Sequence, residues 1–307
     1  MFLGGNSPER KISLRSGRAV CQALVNAGFR VKRLDPGRTD RKKILATPMD
    51  VAFIALHGEG GEDGTLQTWM DRHGLSYTGS DPLGCRLSYD KILSKRIFQK
   101  KGIPTPDYCV VTDRDWKTKL GSFPTPFFLK PPRDGSSIGI LKVEDFSKEI
   151  PKIAKAVRKY KQLLAEKRIQ GREFTVGIFG GKALPVIELR PKSDFYDYKS
   201  KYTKGMTEYL VPAPIPAKLA KKLQRVGLAV HRALQLRDFS RIDIMVDKNG
   251  KPYVLEANAI PGFTALSLLP KAARQAGISF EELCSRLVRW AYERAQKRGP
   301  RNGKKKS

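Results

Sequence analysis

The sequence is poor in the residues that build disulfide frameworks and multi-histidine metal centres. Its 307 residues include 4 cysteines and 3 histidines. Cys21, Cys85, Cys109 and Cys284 are far apart and form no CxxC pair. That excludes a zinc knuckle and a disulfide scaffold and points to a reducing compartment. Long hydrophobic runs are lacking as well. The longest purely apolar stretch, 51–56, has six residues, whereas a membrane-spanning helix needs about 20. Met1-Phe2-Leu3-Gly4-Gly5 runs straight into Pro8-Glu9-Arg10-Lys11. With no apolar segment of signal-peptide length there, a cytoplasmic location is expected.

Acidic residues are scarce too. Thirty Asp and Glu stand against 59 Lys and Arg, for a formal charge of +29. Residues 297–307 carry six of the positive charges and no acid, so most of the excess belongs to the body of the chain. Such a charge attracts polyphosphate ligands, nucleic acid or an anionic surface, or else simply solvates the protein. No helix-turn-helix pattern, zinc-finger spacing or RNP-like aromatic motif is present, so nucleic acid is the least supported partner. The apolar content of 40% and charged content of 29% are those of a folded chain. The length suits two or three domains.

The first third alternates short apolar runs with helical patterns. A glycine-rich turn at 4–9 precedes a helix bearing Ala19, Val20, Ala23 and Leu24 and closed by Gly28. Strands are expected at 31–34 and 51–56, the second apolar throughout, as befits a parallel strand buried on both faces. It feeds a second glycine-rich loop, 57–64, and another helix. A boundary is expected near 79–84, then a helix over 89–101. Strands at 127–130, 140–143 and 163–169 with a helix over 145–160 make an α+β unit. Strands at 173–179, 184–189, 241–246 and 253–258 and helices at 217–234 and 280–296 complete the chain. The polar stretch 191–216 reads as a functional lid.

The segment 241–258 is the most informative. Asn249-Gly250 is a strong two-residue hairpin signal, because a type I′ turn needs positive φ at both centres. With that turn, Asp243 pairs with Glu256 and Arg241 with Asn258, all four on one face. The other face would carry Ile242, Ile244, Val246, Tyr253, Leu255 and Ala257. Two carboxylates about 5 Å apart repel by roughly 3–4 kcal/mol at an effective dielectric near 20. A shared proton, Arg241 or a hard divalent cation would each offset this, and oxygen donors of this kind suit Mg²⁺ held partly by substrate phosphates. The loop 130–139, with Lys130, Gly135, Ser136, Ser137 and Gly139, offers N–H groups, hydroxyls and an ammonium at a strand end. That combination can cradle phosphates, although it is not a Walker A loop.

These motifs resemble the D-alanine–D-alanine ligase family of the ATP-grasp superfamily. The matching segments are Leu3-Gly-Gly-Asn-Ser-Pro-Glu9-Arg, Ala55-Leu-His57-Gly-Glu-Gly-Gly-Glu-Asp-Gly64, Gly135-Ser-Ser-Ile-Gly139 and Gly171-Arg-Glu-Phe-Thr-Val176. Phe195-Tyr-Asp-Tyr-Lys-Ser-Lys-Tyr202, Ser240-Arg-Ile-Asp243 and Leu255-Glu-Ala-Asn-Ala-Ile-Pro-Gly262 follow in the family's order. The resemblance covers about residues 2–296.

It implies an α/β and α+β fold of three-domain ATP-grasp architecture, with an N-terminal parallel-sheet domain at 1–83. A central subdomain at 84–165 and a C-terminal one at 166–296 follow, with a lid near 191–210 and a disordered basic tail at 297–307. It implies formation of D-alanyl-D-alanine through an acyl phosphate, for peptidoglycan precursors, with ATP as co-substrate. Two Mg²⁺ ions are implied, for which Mn²⁺ could substitute, and a homodimer.

The resemblance also implies roles residue by residue. Lys91, Lys130, Ser137 and Lys201 match ATP-phosphate contacts, and Glu166, Lys167, Ile169 and Glu173 match adenine and ribose contacts. Asp243, Glu256 and Asn258 match the metal ligands. Arg241 and the Gly262 N–H match the oxyanion-stabilising groups. Glu9, with Ser136 and Tyr202 as partners, matches the holder of the first D-alanine's ammonium, with His57 close by. Ser267 matches the hydroxyl that binds the second substrate's carboxylate.

The chain also departs from the family. Only Met1-Phe2-Leu3 precede the first Gly-Gly turn, from which either an upstream start or a weakened sheet edge is expected. Ala259 stands where Thr is common and Leu266 where a more polar residue is, so the acceptor pocket is the part the resemblance defines least. The competing expectations are a ligase with another acceptor such as D-serine, and a non-catalytic nucleotide- or nucleic-acid-binding protein on the same scaffold.

Overall fold

A computed structural model describes residues 1–135, 139–192 and 205–297. Ser136 and Ser137 of the glycine-serine loop, Lys201 and Tyr202 of the expected lid, and the tail beyond Lys297 lie outside the described residues.

Parallel bridges join Phe2 to both Leu34 and Ile54, and Ala52 to Tyr77. The strands expected at 31–34 and 51–56 therefore reduce to isolated bridges. Each segment makes only a rung or two, such as Leu3 N–H to Leu34 O (3.1 Å) and Ala55 N–H to Phe2 O (3.0 Å), before the chain turns into a loop. Phe2 is fully buried and pairs on both sides, so Met1–Leu3 is an interior segment. Helix α1 (Arg10–Asn26) lies directly on it: a Cβ on Gly17 would come within 2.4 Å of Leu3 Cβ.

A short helix α2 (Arg41–Leu45) comes next, and α3 (Thr65–Arg72) follows the second glycine-rich loop. The helix expected over 89–101 is α5 (Lys91–Lys100); Tyr89 instead closes α4 (Pro82–Tyr89), and Asp90 separates the two. Its carboxylate accepts from the N–H groups of Ile92 (3.0 Å) and Leu93 (3.1 Å), so a new helix starts where one would otherwise continue.

The next unit is an antiparallel sheet of β1 (Tyr108–Thr112), β2 (Phe127–Lys130), β3 (Leu141–Val143) and β4 (Gln162–Lys167), in the order β1-β4-β2-β3. Helices α6 (Trp116–Gly121) and α7 (Phe146–Tyr160) cover it. Its core of Val111, Leu120, Phe127, Ile153 and Leu163 is separate from the rest.

A second, six-stranded antiparallel sheet carries β5 (Gly171–Phe179), β6 (Lys182–Ala183), β7 (Ile187–Pro191), β8 (Thr207–Leu210), β9 (Phe239–Asp247) and β10 (Pro252–Asn258). Its order is β10-β9-β5-β7-β8, with β6 on β5. Helices α8 (Ala217–Ala233), α9 (Leu268–Gln275) and α10 (Phe280–Lys297) pack around it. Strands β7 and β8 take residues from both ends of the stretch 191–210 in which a lid is expected, and 193–204 lie outside the described residues. One apolar cluster runs from Phe2, Ile54 and Met70 into Phe174, Ile242 and Val254, which joins the N-terminal part to this sheet. Asp238 locks the junction: its carboxylate accepts from Gly79 N–H (3.0 Å) and from both terminal nitrogens of Arg294 (2.6 and 2.8 Å).

Candidate active site

The hairpin β9–β10 sets the site. Asp243 pairs with Glu256 and Arg241 with Asn258, as the sequence predicts. The route is different. Nearer the turn, Tyr253 pairs with Met245 and Pro252 with Val246, one residue out of step with the Asp243 pairing. The turn closes between Asp247 and Lys251, with Asp247 N–H donating to Lys251 O (3.1 Å) and Gly250 at φ +75°. This is a three-residue loop with a left-handed glycine rather than a two-residue turn. A bulge at Leu255 then restores the register. Tyr253 and Leu255 are consequently not on the packed face, which holds Pro252, Val254 and Ala257. Leu255 is turned into a cleft beside Met245.

Asp243 is buried and densely held. Arg241 donates from Nε to Oδ1 (2.9 Å) and from Nη2 to Oδ2 (2.8 Å). Thr175 Oγ1 donates to Oδ1 (2.8 Å) and Asn258 Nδ2 to Oδ2 (3.2 Å). Across the hairpin, Glu256 Oε2 lies 3.5 Å from Lys91 Nζ. Cations thus stand beside both carboxylates. The donor set fits a divalent metal: two carboxylates and an amide whose oxygen comes forward on a half-turn of the side chain. Among the described residues no group of three or more His, Cys, Asp and Glu could hold a metal unaided, so further ligands would have to come from substrate oxygens.

Asp243 and Glu256 border a cleft of 630 Å³ between the two sheets. It brings together Lys91, Lys130, Glu166, Lys167, Ile169 and Glu173, with Phe128, Ile140, Met245 and Leu255 as apolar walls. Lys91 Nζ also donates to Asp134 O (2.8 Å), which holds the loop after β2. Glu166, 1% exposed, is clamped between Lys130 and Lys95. Burial pushes its carboxyl up, but the two ammonium groups outweigh this and hold it below the ordinary range. Lys95 is equally buried; desolvation, opposed by Glu166, lowers its pKa to about 8. Lys95 Nζ donates to Thr105 Oγ1 (2.6 Å), which donates to Val254 O (2.7 Å), next to the bulge. A second set, Arg172, Glu188 and Arg190, lines the same cleft. Arg172 grips Glu188 at 2.7 and 2.8 Å, and despite burial the arginines keep that carboxyl low.

A second cavity of 550 Å³ lies on the other side of Glu256. It gathers Glu9, His57, Arg241, Asn258, Gly262 and Ser267. Glu9 precedes α1 but makes no side-chain cap to it. Two glycines make room for its carboxylate: a Cβ on Gly58 or Gly135 would sit 2.9 or 2.8 Å from Glu9 Oε2. His57 Nδ1 is 3.1 Å from Ile260 O, which can only accept, so Nδ1 carries hydrogen. Its Nε2 lies 3.0 Å from Ser16 Oγ, which accepts from Phe263 N–H (3.3 Å), and Glu62 Oε1 stands 3.6 Å from Nδ1. Ser267 opens α9, and its Oγ accepts from Thr264 N–H (3.0 Å). Gly262 packs against it, with 3.2 Å from a Cβ position to Ser267 Oγ.

Lys95, Ser16 and the Arg172–Glu188–Arg190 set are not singled out by the sequence. Lys95 had a signal: it interrupts the apolar stripe of α5 between Ile92 and Phe98, where a charge needs a buried partner. The others carry none that sequence alone distinguishes.

Residues 97–289 match a family profile described as "D-ala D-ala ligase C-terminus". The D-alanine–D-alanine ligase of Methylacidiphilum infernorum is 41% identical over 300 residues, covering 96% of each chain. That of Aquifex aeolicus is 43% identical over 290 residues, covering 94% of this chain and 98% of its own. Among solved structures, the Bacillus anthracis D-alanine–D-alanine ligase complexed with ATP superposes with a TM-score of 0.83 at 32% identity, over 97% of this chain and 98% of that one. The VanG D-Ala:D-Ser ligase of Enterococcus faecalis gives 0.82 at 26% identity, over 95% and 98%. The chain therefore belongs to the D-alanine–D-alanine ligase family and is an ATP-dependent ligase.

Proposed function

We propose that the protein joins two molecules of D-alanine, with ATP in the larger cleft and both amino acids in the smaller cavity. The observation that carries this reading is the shared wall: Glu256 borders both spaces, with Asp243 on the cleft side and Arg241 and Asn258 on the cavity side. A γ-phosphate and a carboxylate entering from opposite sides meet there.

Lys91 and Lys130 neutralise the phosphates, and Ile140, Met245 and Leu255 face the base. Glu166, Lys167 and Ile169 contact adenine and Glu173 the ribose. Ser137 and Lys201, outside the described residues, complete the phosphate contacts. Glu9 holds the donor's ammonium, with His57 close by and Ser136 and Tyr202 as its partners. A donor carboxylate oxygen attacks the γ-phosphorus and the bond to the bridging oxygen breaks, which gives ADP and an acyl phosphate. The acceptor's amine, having lost a proton, attacks the acyl carbon. Arg241 and the Gly262 N–H stabilise the oxyanion with fixed charge and dipole. The carbon–oxygen bond to phosphate then breaks. Ser267 receives the acceptor's carboxylate.

Asp243, Glu256 and Asn258 would hold Mg²⁺ or Mn²⁺. When bound, the metal neutralises phosphate charge and aligns the phosphoryl group. The three-domain division, a cytoplasmic location and a homodimer belong to the same proposal. ADP release from ATP and Mg²⁺ with and without D-alanine, with the dipeptide identified by mass spectrometry, tests it. D-alanine-dependent ADP matched by D-alanyl-D-alanine is the expected result. ADP without dipeptide would overturn the reading.

A further inference from the structure

Lys271 lies one turn along α9 from Ser267 and lines the same cavity as Arg241, Gly262 and Glu9. Its ammonium is laid back over the ring of Tyr209, 4.6 Å from the centroid, and Tyr209 lines the cavity too. Among the described residues its ammonium has no carboxylate partner and makes no hydrogen bond. Two arginines line the cavity as well: Arg15, on α1, and Arg241, which is held by Asp243. Partial burial lowers the Lys271 pKa, so this is a desolvated cation without a counter-charge, a place an anion would relieve. The proposed reaction brings such an anion. An acceptor whose amine faces Arg241 and Gly262 must also seat its carboxylate, and Ser267, which adjoins Gly262, and Lys271 one turn further on offer a hydroxyl and an ammonium on one helix face.

We propose that Lys271 binds the α-carboxylate of the acceptor amino acid together with Ser267, and makes the acceptor site selective for a free carboxylate. This assignment rests on the ligase reading above. A bystander lysine would alter rate or stability without altering the choice between acceptors that differ only at that group.

The test is a competition. The protein, ATP and Mg²⁺ are supplied with D-alanine and D-alaninamide at equal concentration, and the dipeptide acid and dipeptide amide are quantified by mass spectrometry. The unaltered protein should favour the acid. Lys271→Met should reduce that preference by about tenfold or more, the effect of one charge-assisted contact, whereas Lys271→Arg should retain it. A preference unchanged in Lys271→Met overturns the proposal. Lys271→Gln, which keeps length and polarity, gives the same reading should the methionine variant fold poorly, because the product ratio does not depend on total rate. A variant with native melting temperature and neither dipeptide would move Lys271 to the donor step, and also overturns it. Absence of D-alanine-dependent ADP from the unaltered protein would instead sink the ligase reading.

Discussion

Glu256 faces Asp243 across the β9–β10 hairpin although the turn joining their strands is one residue out of step with that pairing. Two features cancel: a three-residue loop with Gly250 at φ +75°, and the extra residue at Leu255. The bulge keeps the carboxylates opposed and throws Leu255 into the nucleotide cleft. A regular ladder would keep the pairing without that apolar wall.

Gly250 has open space around its Cβ position, so replacement meets strain and no clash. Gly250→Ala should destabilise the protein by about 1–2 kcal/mol, the left-handed penalty for a residue with a Cβ. Urea denaturation should show a lower midpoint with an unchanged slope.

Arg241 serves both sides of the shared wall. Arg241→Met should lower kcat by about 10²–10³, as loss of one oxyanion donor does. The KM for ATP should change much less, because the cleft cations Lys91 and Lys130 remain. Steady-state kinetics with ATP varied at saturating D-alanine separates the two.

Lys95 and Glu166 form a buried ion pair at the cleft wall. Lys95→Met leaves Glu166 with Lys130 alone and should cost about 3 kcal/mol, the lower end for a broken buried pair. A pH effect follows. Lys95 has its pKa lowered from 10.5 to about 8, so the folded protein loses this proton while the unfolded chain still keeps it. For this group alone stability rises with pH between those values, because the unfolded state binds more protons. ATP binding moves the other way: the KM for ATP should rise above pH 8 as Glu166 loses one of its two cations. In Lys95→Met that step should vanish.

Gly17 tests the packing of α1 on the N-terminal segment. Helix propensity favours Gly17→Ala by about 1 kcal/mol. The new Cβ would meet Leu3 Cβ at 2.4 Å in a buried contact, and overpacking of that kind costs about 1–3 kcal/mol or more. The clash should win, and thermal unfolding should show a lower Tm.

The Asp243–Glu256 pairing was legible because Asn249-Gly250 marks a hairpin and strand alternation does the rest. The bulge was not, since a two-residue turn reaches the same pairing, and Tyr253 and Leu255 were placed on the wrong face as a result. The run 51–56 reads correctly as buried, yet burial does not tell how many rungs a segment makes, and Ala52 and Ile54 make only isolated bridges. Lys95 is one cation among 59 in composition. Its importance comes from Glu166, 71 positions away, which no local pattern connects to it. Glu9, His57 and Arg241, each in a distinct motif, do converge on one cavity.

In the proposed reaction a donor carboxylate crosses the Glu256 wall to reach the γ-phosphate. Its most direct test uses D-alanine labelled with ¹⁸O in both carboxylate oxygens. Each phosphate released should carry one ¹⁸O, with one ¹⁸O retained in the new peptide carbonyl. Unlabelled phosphate formed alongside D-alanyl-D-alanine would contradict it, because the carboxylate would then not have attacked phosphorus.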